Sequence, residues 1–415
     1  MEYIHSKDIF LLIRDTLKLV DRQAMDHGSR VAYLLYKMLE CRGGYEKFEL
    51  ADIVFLASLH DIGAYRTEKN LKEMVHYEAR EPMPHATYGY LVFRHLSPLS
   101  ELAKVILYHH TDYSKLQQLD YEYKDIAAFL NFAEKVDIFS GALKDSFDVR
   151  MFRKQEGTVI SPEALELYEQ AVSKYNILQK IKNGEYKAEL DEIIEYMIFT
   201  NEDKKKYLEM LMYCQGLRNE KSVIDTATCI SIAEMLGQKV KLTDVEREQL
   251  YYGALLHDIG MMTMPEEIIN APRKLTAEEY NKIKTHVHLA EKVLINRMAN
   301  EVVEIVAAHH ERCDGSGYPR GLREMQMSHN QKVLQLADTV TALLAKRSYR
   351  PALKKEEIIS IIKADTEKGK YSKAISKAFL ESYDEIMKKV EIRSNEIMGI
   401  YRKLNQQYEQ VSAKR

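Results

Sequence analysis

The chain has 415 residues and a formal net charge of −3, and these figures exclude several classes of protein. The length allows two or three domains, each with its own core. The near-neutral charge excludes bulk attraction to nucleic acid, so neither DNA nor RNA is an expected partner. Four scattered cysteines without a Cys-x-x-Cys pair favour a reducing compartment. Without a signal peptide or a run of ~18 apolar residues, we expect a cytoplasmic protein and no membrane partner.

Apolar residues recur at the helical spacing i, i+3, i+4, i+7 in segments along the whole chain. In chain order these segments are Ile9 to Leu39, Glu49 to Leu59, Ser100 to Tyr108, Ile126 to Phe139, Val245 to Leu256, Val302 to Ala308 and Lys332 to Leu344. The small numbers of glycines (17) and prolines (8) also favour helix. Because no two alternating runs are joined by Asn-Gly or Asp-Gly, the pattern predicts an all-α fold.

An adjacent histidine–aspartate pair occurs twice, each time at the end of an apolar segment. The same residue types follow both pairs in the same order: a single histidine, a double histidine and a late acid. The first copy reads His60-Asp61, His85, His109-His110, Glu134, and the second reads His257-Asp258, His286, His309-His310, Asp338. Matching positions lie 197 to 204 residues apart, as His60 and His257 or Glu134 and Asp338 show. So steady an offset indicates a duplicated domain.

The repeat and local end signals together predict the domain boundaries. Ser161-Pro162-Glu163 is a helix-start sequence, and it predicts a helix to about Ile181 that closes the first copy. The predicted units are a first domain over 1–185, a linker over 186–204, a second domain over 205–390 and a charged helical tail over 391–415. The tail either packs on its own domain or supports a homodimer.

The repeated set consists of imidazoles and carboxylates, which are ligands of divalent metal ions. With His27, on the helix before the first pair, the first copy has seven candidate ligands: His27, His60, Asp61, His85, His109, His110 and Glu134. Seven groups are too many for one ion and suit a two-metal site bridged by Asp61. One ion would take His27, His60 and Glu134, and the other His85, His109 and His110. Any single histidine could be an ordinary core residue, but the repeated order argues against that for the set.

The order of these residues resembles that of the HD-domain metal phosphohydrolases. The second copy also contains His309-His310-Glu311-Arg312-Cys313-Asp314-Gly315-Ser316-Gly317-Tyr318-Pro319, which is similar to the extended motif of the HD-GYP subfamily. The resemblance is strong over residues 205 to 370 and weaker over residues 20 to 180. It implies an all-α fold, a bi- or trinuclear iron or manganese centre, and hydrolysis of a cyclic dinucleotide such as cyclic di-GMP or cyclic GMP-AMP.

The second copy departs from the family pattern at its first ligand. Counting back from the segment 233–237 places the family's first histidine near Lys221, and no histidine lies between residues 203 and 256. The family's lysine after His-Asp-Ile-Gly is Met261 here. The remaining residues form a possible second metal site that holds one ion or none: His257, Asp258, His286, His309, His310 and Asp338.

The first copy keeps every ligand position but has no Gly-Tyr-Pro segment. Ala64 stands at its lysine position, and Arg66, two residues later, can supply positive charge to a phosphate. We therefore interpret the first copy as catalytic, with Asp61 and Arg66 as its catalytic residues, and the second as a degenerate partner. The alternative is that the second copy is the working enzyme.

Three further residues are candidates for substrate binding. Asp137 lies one helical turn beyond Glu134, where it could read a guanine edge or pair with a nearby cation. Tyr318 precedes a proline and therefore lies in a rigid turn. With Arg312, this turn either packs its own domain or reaches the pocket of the first domain.

Taken together, these residues predict a metal-dependent phosphodiesterase that opens a cyclic dinucleotide to a linear one. Two alternatives remain: a non-catalytic nucleotide-binding receptor or adaptor, and an HD phosphohydrolase for another phosphoester. The complete ligand set of the first copy favours an enzyme, because a receptor has no need of seven coordinating groups.

Overall fold

The computed structural model describes residues 3–67, 84–216, 220–346 and 351–414. Within these ranges the fold is all-α, which confirms the prediction, and the extended pairings are isolated bridges such as Ile4 with Met298. None of the helices described is both long and apolar enough to cross a membrane.

The chain forms two compact units, and neither is a continuous stretch of sequence. The first unit comprises Ile9–Met210 with Lys403–Arg415, and the second comprises Met1–Asp8 with Leu211–Arg402. The sequence prediction had placed residues 1–8 in the first domain and residues 391–415 in a separate tail, whereas the structure places residues 1–8 in the second unit and divides the tail between the two units. A sequence repeat records the core of each copy and carries no information on where terminal residues pack.

Twelve helices belong wholly or mostly to the first unit, with 3-10 helices at Lys144–Ser146 and Val149–Gln155. They are α1 (Ser6–Val20), α2 (Arg22–Arg42), α3 (Lys47–Ser58), α4 (Ala64–Thr67), α5 (Pro84–Leu96), α6 (Ala103–Tyr108), α7 (Tyr113–Leu116), α8 (Lys124–Leu143), α9 (Pro162–Tyr175), α10 (Ile177–Asn183), α11 (Tyr186–Ile194) and α12 (Asn201–Gly216). The predicted run from Ile9 to Leu39 is two helices, because Asp21 accepts a hydrogen bond from the Ala24 N–H and so caps α2. The closing helix is likewise divided, at Asn176, which has a φ of 53°.

Nine helices follow, with 3-10 helices at Ile259–Thr263 and Glu324–Gln326. They are α13 (Glu220–Lys239), α14 (Asp244–Leu256), α15 (Glu266–Ile269), α16 (Ala277–Leu294), α17 (Asn300–Ala307), α18 (His329–Leu344), α19 (Lys355–Glu367), α20 (Lys373–Glu381) and α21 (Tyr383–Lys414). The helical tail predicted from residue 391 therefore begins at Tyr383. Its last residues belong to the first unit, where the Tyr408 ring lies 5.8 Å from that of Tyr88 on α5.

Five helices recur in the same order in the two units, which confirms the duplication. They are α2, α3, α5, α6 and α8 in the first unit and α13, α14, α16, α17 and α18 in the second. In both units the first of these helices packs on the second and the fifth. The second helix begins in the same way in each: the N–H of Glu46 or Thr243 donates to the carboxylate three residues later, at 2.8 Å. This start lies 14 residues before His60 in the first unit and 14 residues before His257 in the second. Each histidine therefore lies just after the C-terminal end of its own unit's second recurring helix.

Candidate metal centre

The turn after each His-Asp pair lies directly against the helix that carries the single histidine. A side-chain carbon on Gly63 would meet the carbonyl oxygen of His85 at 2.1 Å, and one on Gly260 would meet that of His286 at 2.1 Å. Only glycine allows so close an approach. The glycine in each His-Asp-Ile-Gly sequence thus brings the single histidine to the pair.

The seven predicted ligands of the first unit form one cluster. Their donor atoms include two sets of three, each within 4.8 Å of one another: His27, His60 and Glu134, and His85, His109 and His110. Asp61 lies between the sets, with Oδ2 3.3 Å from Nε2 of His60 and Oδ1 3.6 Å from Nε2 of His85. These are the same two sets that the sequence assigned to two ions.

The backbone orients two of these rings. Nδ1 of His60 lies 2.8 Å from the carbonyl oxygen of Ala57, and Nδ1 of His109 lies 2.5 Å from that of Ile106. With the proton on Nδ1 donated to the carbonyl, Nε2 keeps a free lone pair. Both Nε2 atoms are buried without a hydrogen-bond partner among the described residues. A buried unsatisfied nitrogen is unfavourable, so these side chains fit a divalent ion.

The distance between two other ligand nitrogens also fits a bound metal ion. Nε2 of His85 and Nε2 of His110 lie 2.9 Å apart. Two ligands at right angles on one ion, with bonds of about 2.1 Å, would be about 3 Å apart. The two Nε2 atoms of His85 and His110 are therefore placed as ligands of a common ion would be.

The protonation states suit a metal as well. Burial would raise the pKa of Asp61, but the surrounding histidines, His60 first, outweigh it and lower that pKa to about 2. Burial lowers the pKa of His60, and it lowers the pKa values of His109 and His110 well below their usual range. An ionised carboxylate beside these three neutral imidazoles is the state that binds a cation.

His27 is oriented by a side chain. Its Nδ1 lies 2.7 Å from Oδ2 of Asp137, and the same carboxylate accepts hydrogen bonds from Nε and Nη2 of Arg30 at 2.6 and 2.9 Å. Both carboxylate oxygens of Asp137 are thus engaged within the protein. Sequence analysis missed Arg30, although its place three residues after His27 on one helix was a signal that both face the same partner. Arg66, in contrast, lies exposed on α4.

The second unit brings its six predicted ligands together too. Nε2 of His286 is 3.3 Å from Oδ1 of Asp258, and Nδ1 of His310 is 3.2 Å from Oδ2 of Asp338. One set of three donor atoms within 4.8 Å is found in the described part of this unit: His286, His309 and His310. Burial would lower the pKa of His257, but Asp258 and Asp338 outweigh it and raise that pKa to about 9.

The helix α13, which stands where α2 stands in the first unit, contains no histidine. Lys221 is exposed, so it does not stand among the ligands. Cys229, further along α13, is completely buried. Burial, together with the charges of Asp338 and Asp258, raises the pKa of its thiol well above the usual range. The thiol of Cys229 is therefore uncharged at neutral pH.

The Gly-Tyr-Pro segment packs within its own unit. The Tyr318 ring lies 4.8 Å from the His310 ring, and the Arg312 guanidinium lies 5.6 Å from the ring of Tyr371. The buried carboxylate of Glu311 accepts hydrogen bonds from the backbone N–H groups of Arg320 and Leu322, at 2.6 and 2.8 Å. The segment is thereby attached beside the double histidine.

Family models match both units. One described as an HD domain matches residues 25–139, and another of the same description matches residues 211–375.

Curated relatives match one or both of these regions. A 3′3′-cGAMP-specific phosphodiesterase of Vibrio cholerae is 25% identical over 386 residues, which are 88% of this chain and 89% of the relative. A cyclic di-GMP phosphodiesterase of Thermotoga maritima is 30% identical over 183 residues, which are 43% of this chain and 49% of that relative.

A solved structure extends the likeness to the fold. The crystal structure of a cyclic GMP-AMP specific phosphodiesterase of V. cholerae superposes with a TM-score of 0.59 at 16% identity, covering 92% of this chain and 98% of that one. At this identity the likeness concerns the arrangement of helices alone.

Proposed function

Because the chain is a tandem HD-domain protein of the HD-GYP type, a metal-dependent phosphodiesterase, we propose that it opens a cyclic dinucleotide at the metal centre of its first unit. The observation that supports this proposal is the pair of donor sets on either side of Asp61. Relatives named as cyclic GMP-AMP and cyclic di-GMP phosphodiesterases support the substrate class.

Seven side chains of the first unit would hold two divalent ions, iron or manganese: His27, His60, Asp61, His85, His109, His110 and Glu134. When bound, such ions lower the pKa of a water molecule and neutralise charge on phosphate oxygens. Asp61 would contact both ions, since its two oxygens face opposite donor sets. Arg66, exposed just after the His-Asp turn, would donate to a non-bridging phosphate oxygen.

The second unit would act as a degenerate partner that shapes or regulates the first. It has one set of three close donor atoms in the part of the chain that the structure describes, and α13 contains no histidine to match His27 on α2. Its Tyr318 and Arg312 contact residues of the same unit, which favours the packing role for this segment.

The test is turnover by the full-length protein, with manganese or iron(II), of cyclic di-GMP, 3′3′-cyclic GMP-AMP and cyclic di-AMP. Wild type, His60→Ala and His257→Ala are compared by chromatography of the linear product. We expect His60→Ala to abolish product formation and His257→Ala to retain it. The reverse order would move the catalytic site to the second unit, and turnover of other phosphoesters alone would reject the substrate class.

A further inference from the structure

We propose that Asp137 and Arg30 are positioning residues for one of the two ions in the first unit. They orient His27, so the ion held by His27, His60 and Glu134 depends on them, whereas the ion held by the other three histidines does not. This inference rests on the proposed function only in taking the first unit to bind metal.

The geometry gives His27 a defined orientation. Its Nδ1 lies 2.7 Å from Oδ2 of Asp137, so the ring donates its Nδ1 proton to the carboxylate. The other ring nitrogen, Nε2, is left facing the ligand cluster, 3.9 Å from Oδ2 of Asp61. A carboxylate behind a metal-binding histidine sets the tautomer and makes the imidazole a stronger ligand.

The other buried histidines are held in a different way. In five of them Nδ1 lies 2.5 to 2.9 Å from the backbone carbonyl oxygen of the residue three positions earlier: His60, His109, His257, His286 and His309. A backbone carbonyl is neutral, and it stays in place when a side chain is substituted. The orientation of His27 depends instead on a charged side chain that a substitution can remove.

Arg30 fixes the carboxylate in turn. Its Nε and Nη2 donate to the two different oxygens of Asp137, a bidentate contact that defines the plane of the carboxylate. The Asp137 side chain is 5% exposed. Because burying an unpaired carboxylate is unfavourable, Arg30 also allows a charged Asp137 to lie behind His27.

None of the three members has a counterpart on the described helices α13 and α18 of the second unit. Thr341 follows Asp338 by three residues, as Asp137 follows Glu134. The helix α13 contains neither a histidine nor an arginine. The unit whose first recurring helix lacks a metal-binding histidine therefore also has a threonine where the first unit has the acid. This joint replacement is expected if the acid serves the histidine.

The test measures metal binding and not turnover. In the full-length protein carrying Asp258→Ala, which weakens the second site, manganese(II) is titrated calorimetrically with and without Asp137→Asn, and the bound ions are observed by electron paramagnetic resonance. We expect Asp137→Asn to weaken one ion of the first unit by about 10- to 100-fold and to leave the other unchanged. The signal of a coupled pair should then give way to that of an isolated ion.

The matched control lies on the same two helices. Arg42 on α2 pairs with Asp125 on α8 at 3.0 Å, as Arg30 pairs with Asp137, but Asp125 contacts none of the ligands. Asp125→Asn should leave both ions bound. Arg30→Lys, which keeps the charge and loses the bidentate contact, should weaken the same ion by a smaller factor than Asp137→Asn and preserves the test if the latter does not fold.

The outcomes separate this inference from the function. Two ions with wild-type affinity in Asp137→Asn, or equal loss of both in a folded protein, would overturn the positioning role and leave the proposed function intact. Two ions bound by the parent protein without hydrolysis of any cyclic dinucleotide would reject the function and leave the positioning role standing. If His60→Ala still bound both ions, the positioning role and the proposed function would both be rejected.

Discussion

The two units build similar sites from the same five helices, yet His60 and His257, which hold equivalent places, differ in protonation. Burial lowers the pKa of His60, whereas Asp258 and Asp338 overcome burial and raise the pKa of His257 to about 9. A proton and a metal compete for the same nitrogen. The comparison teaches that the balance between burial and neighbouring charge, and not the ligand types alone, sets the protonation of the metal-free site.

The two sites should differ most in turnover when the aspartate of each His-Asp pair is removed. Asp61→Ala should reduce kcat for the cyclic dinucleotide at least ~100-fold, because the residue between the two ions is lost. Asp258→Ala should leave readily measurable turnover, because the second site already lacks a histidine. Steady-state kinetics of both variants, with folding checked by circular dichroism, gives the answer. Equal losses would mean that both sites are catalytic or that they are tightly coupled.

Metal occupancy is the next difference. We expect two ions at the first site and at most one at the second, held by His286, His309 and His310, which form its set of three close donors. Anomalous scattering from crystals grown with manganese measures both sites in one experiment. Two full ions around Asp258, with none around Asp61, would reverse the assignment.

The protonation difference predicts opposite pH effects on the stability of metal-free protein. The pKa of His257 is raised, so its contribution to the free energy of unfolding is complete below pH 6.5 and is lost as the pH rises through about 9. His257→Gln should therefore destabilise by on the order of 1–2 kcal/mol at pH 6 and by less at pH 9.5.

His60 is the matched control for this effect. Its pKa is lowered, so protonation opposes folding, and the contribution of the neutral ring is lost as the pH falls below 6.5. His60→Gln should lose less stability than wild type as the pH is lowered from 7 to 5. Thermal unfolding in the presence of a chelator measures both variants. A parallel pH dependence of His60→Gln and His257→Gln would show that the two histidines do not differ.

The smallest expected effect concerns Arg312. Since its guanidinium lies against Tyr371 within the second unit, Arg312→Ala should lower stability by about 0.5–1 kcal/mol and leave kcat and KM within about twofold. Thermal unfolding and steady-state kinetics distinguish the two roles. A raised KM or a changed base preference at unchanged stability would instead make Arg312 a substrate contact and bring the second unit into catalysis.

The helical class, the duplication and the members of the two ligand clusters follow from the amino-acid order alone. Local rules are sufficient for these features. The 3.6-residue spacing defines the helices, and the two capping sequences begin their helices 14 residues before His60 and His257. The order of ligand types was visible because metal-binding side chains cannot be exchanged for other residues without loss of the site.

The residues that contact those ligands from the protein side could be identified only from the way the helices pack. Asp137 could be read as a substrate contact until the packing of α2 on α8 brought Arg30 and His27 to its carboxylate. Counting placed the missing ligand near Lys221, and the structure shows that Lys221 itself is exposed. Sequence spacing specifies a position along a helix. Packing specifies which face of that helix meets a charged residue more than a hundred positions away in the sequence. A shift of one or two residues along the helix would turn a different side chain toward that charge.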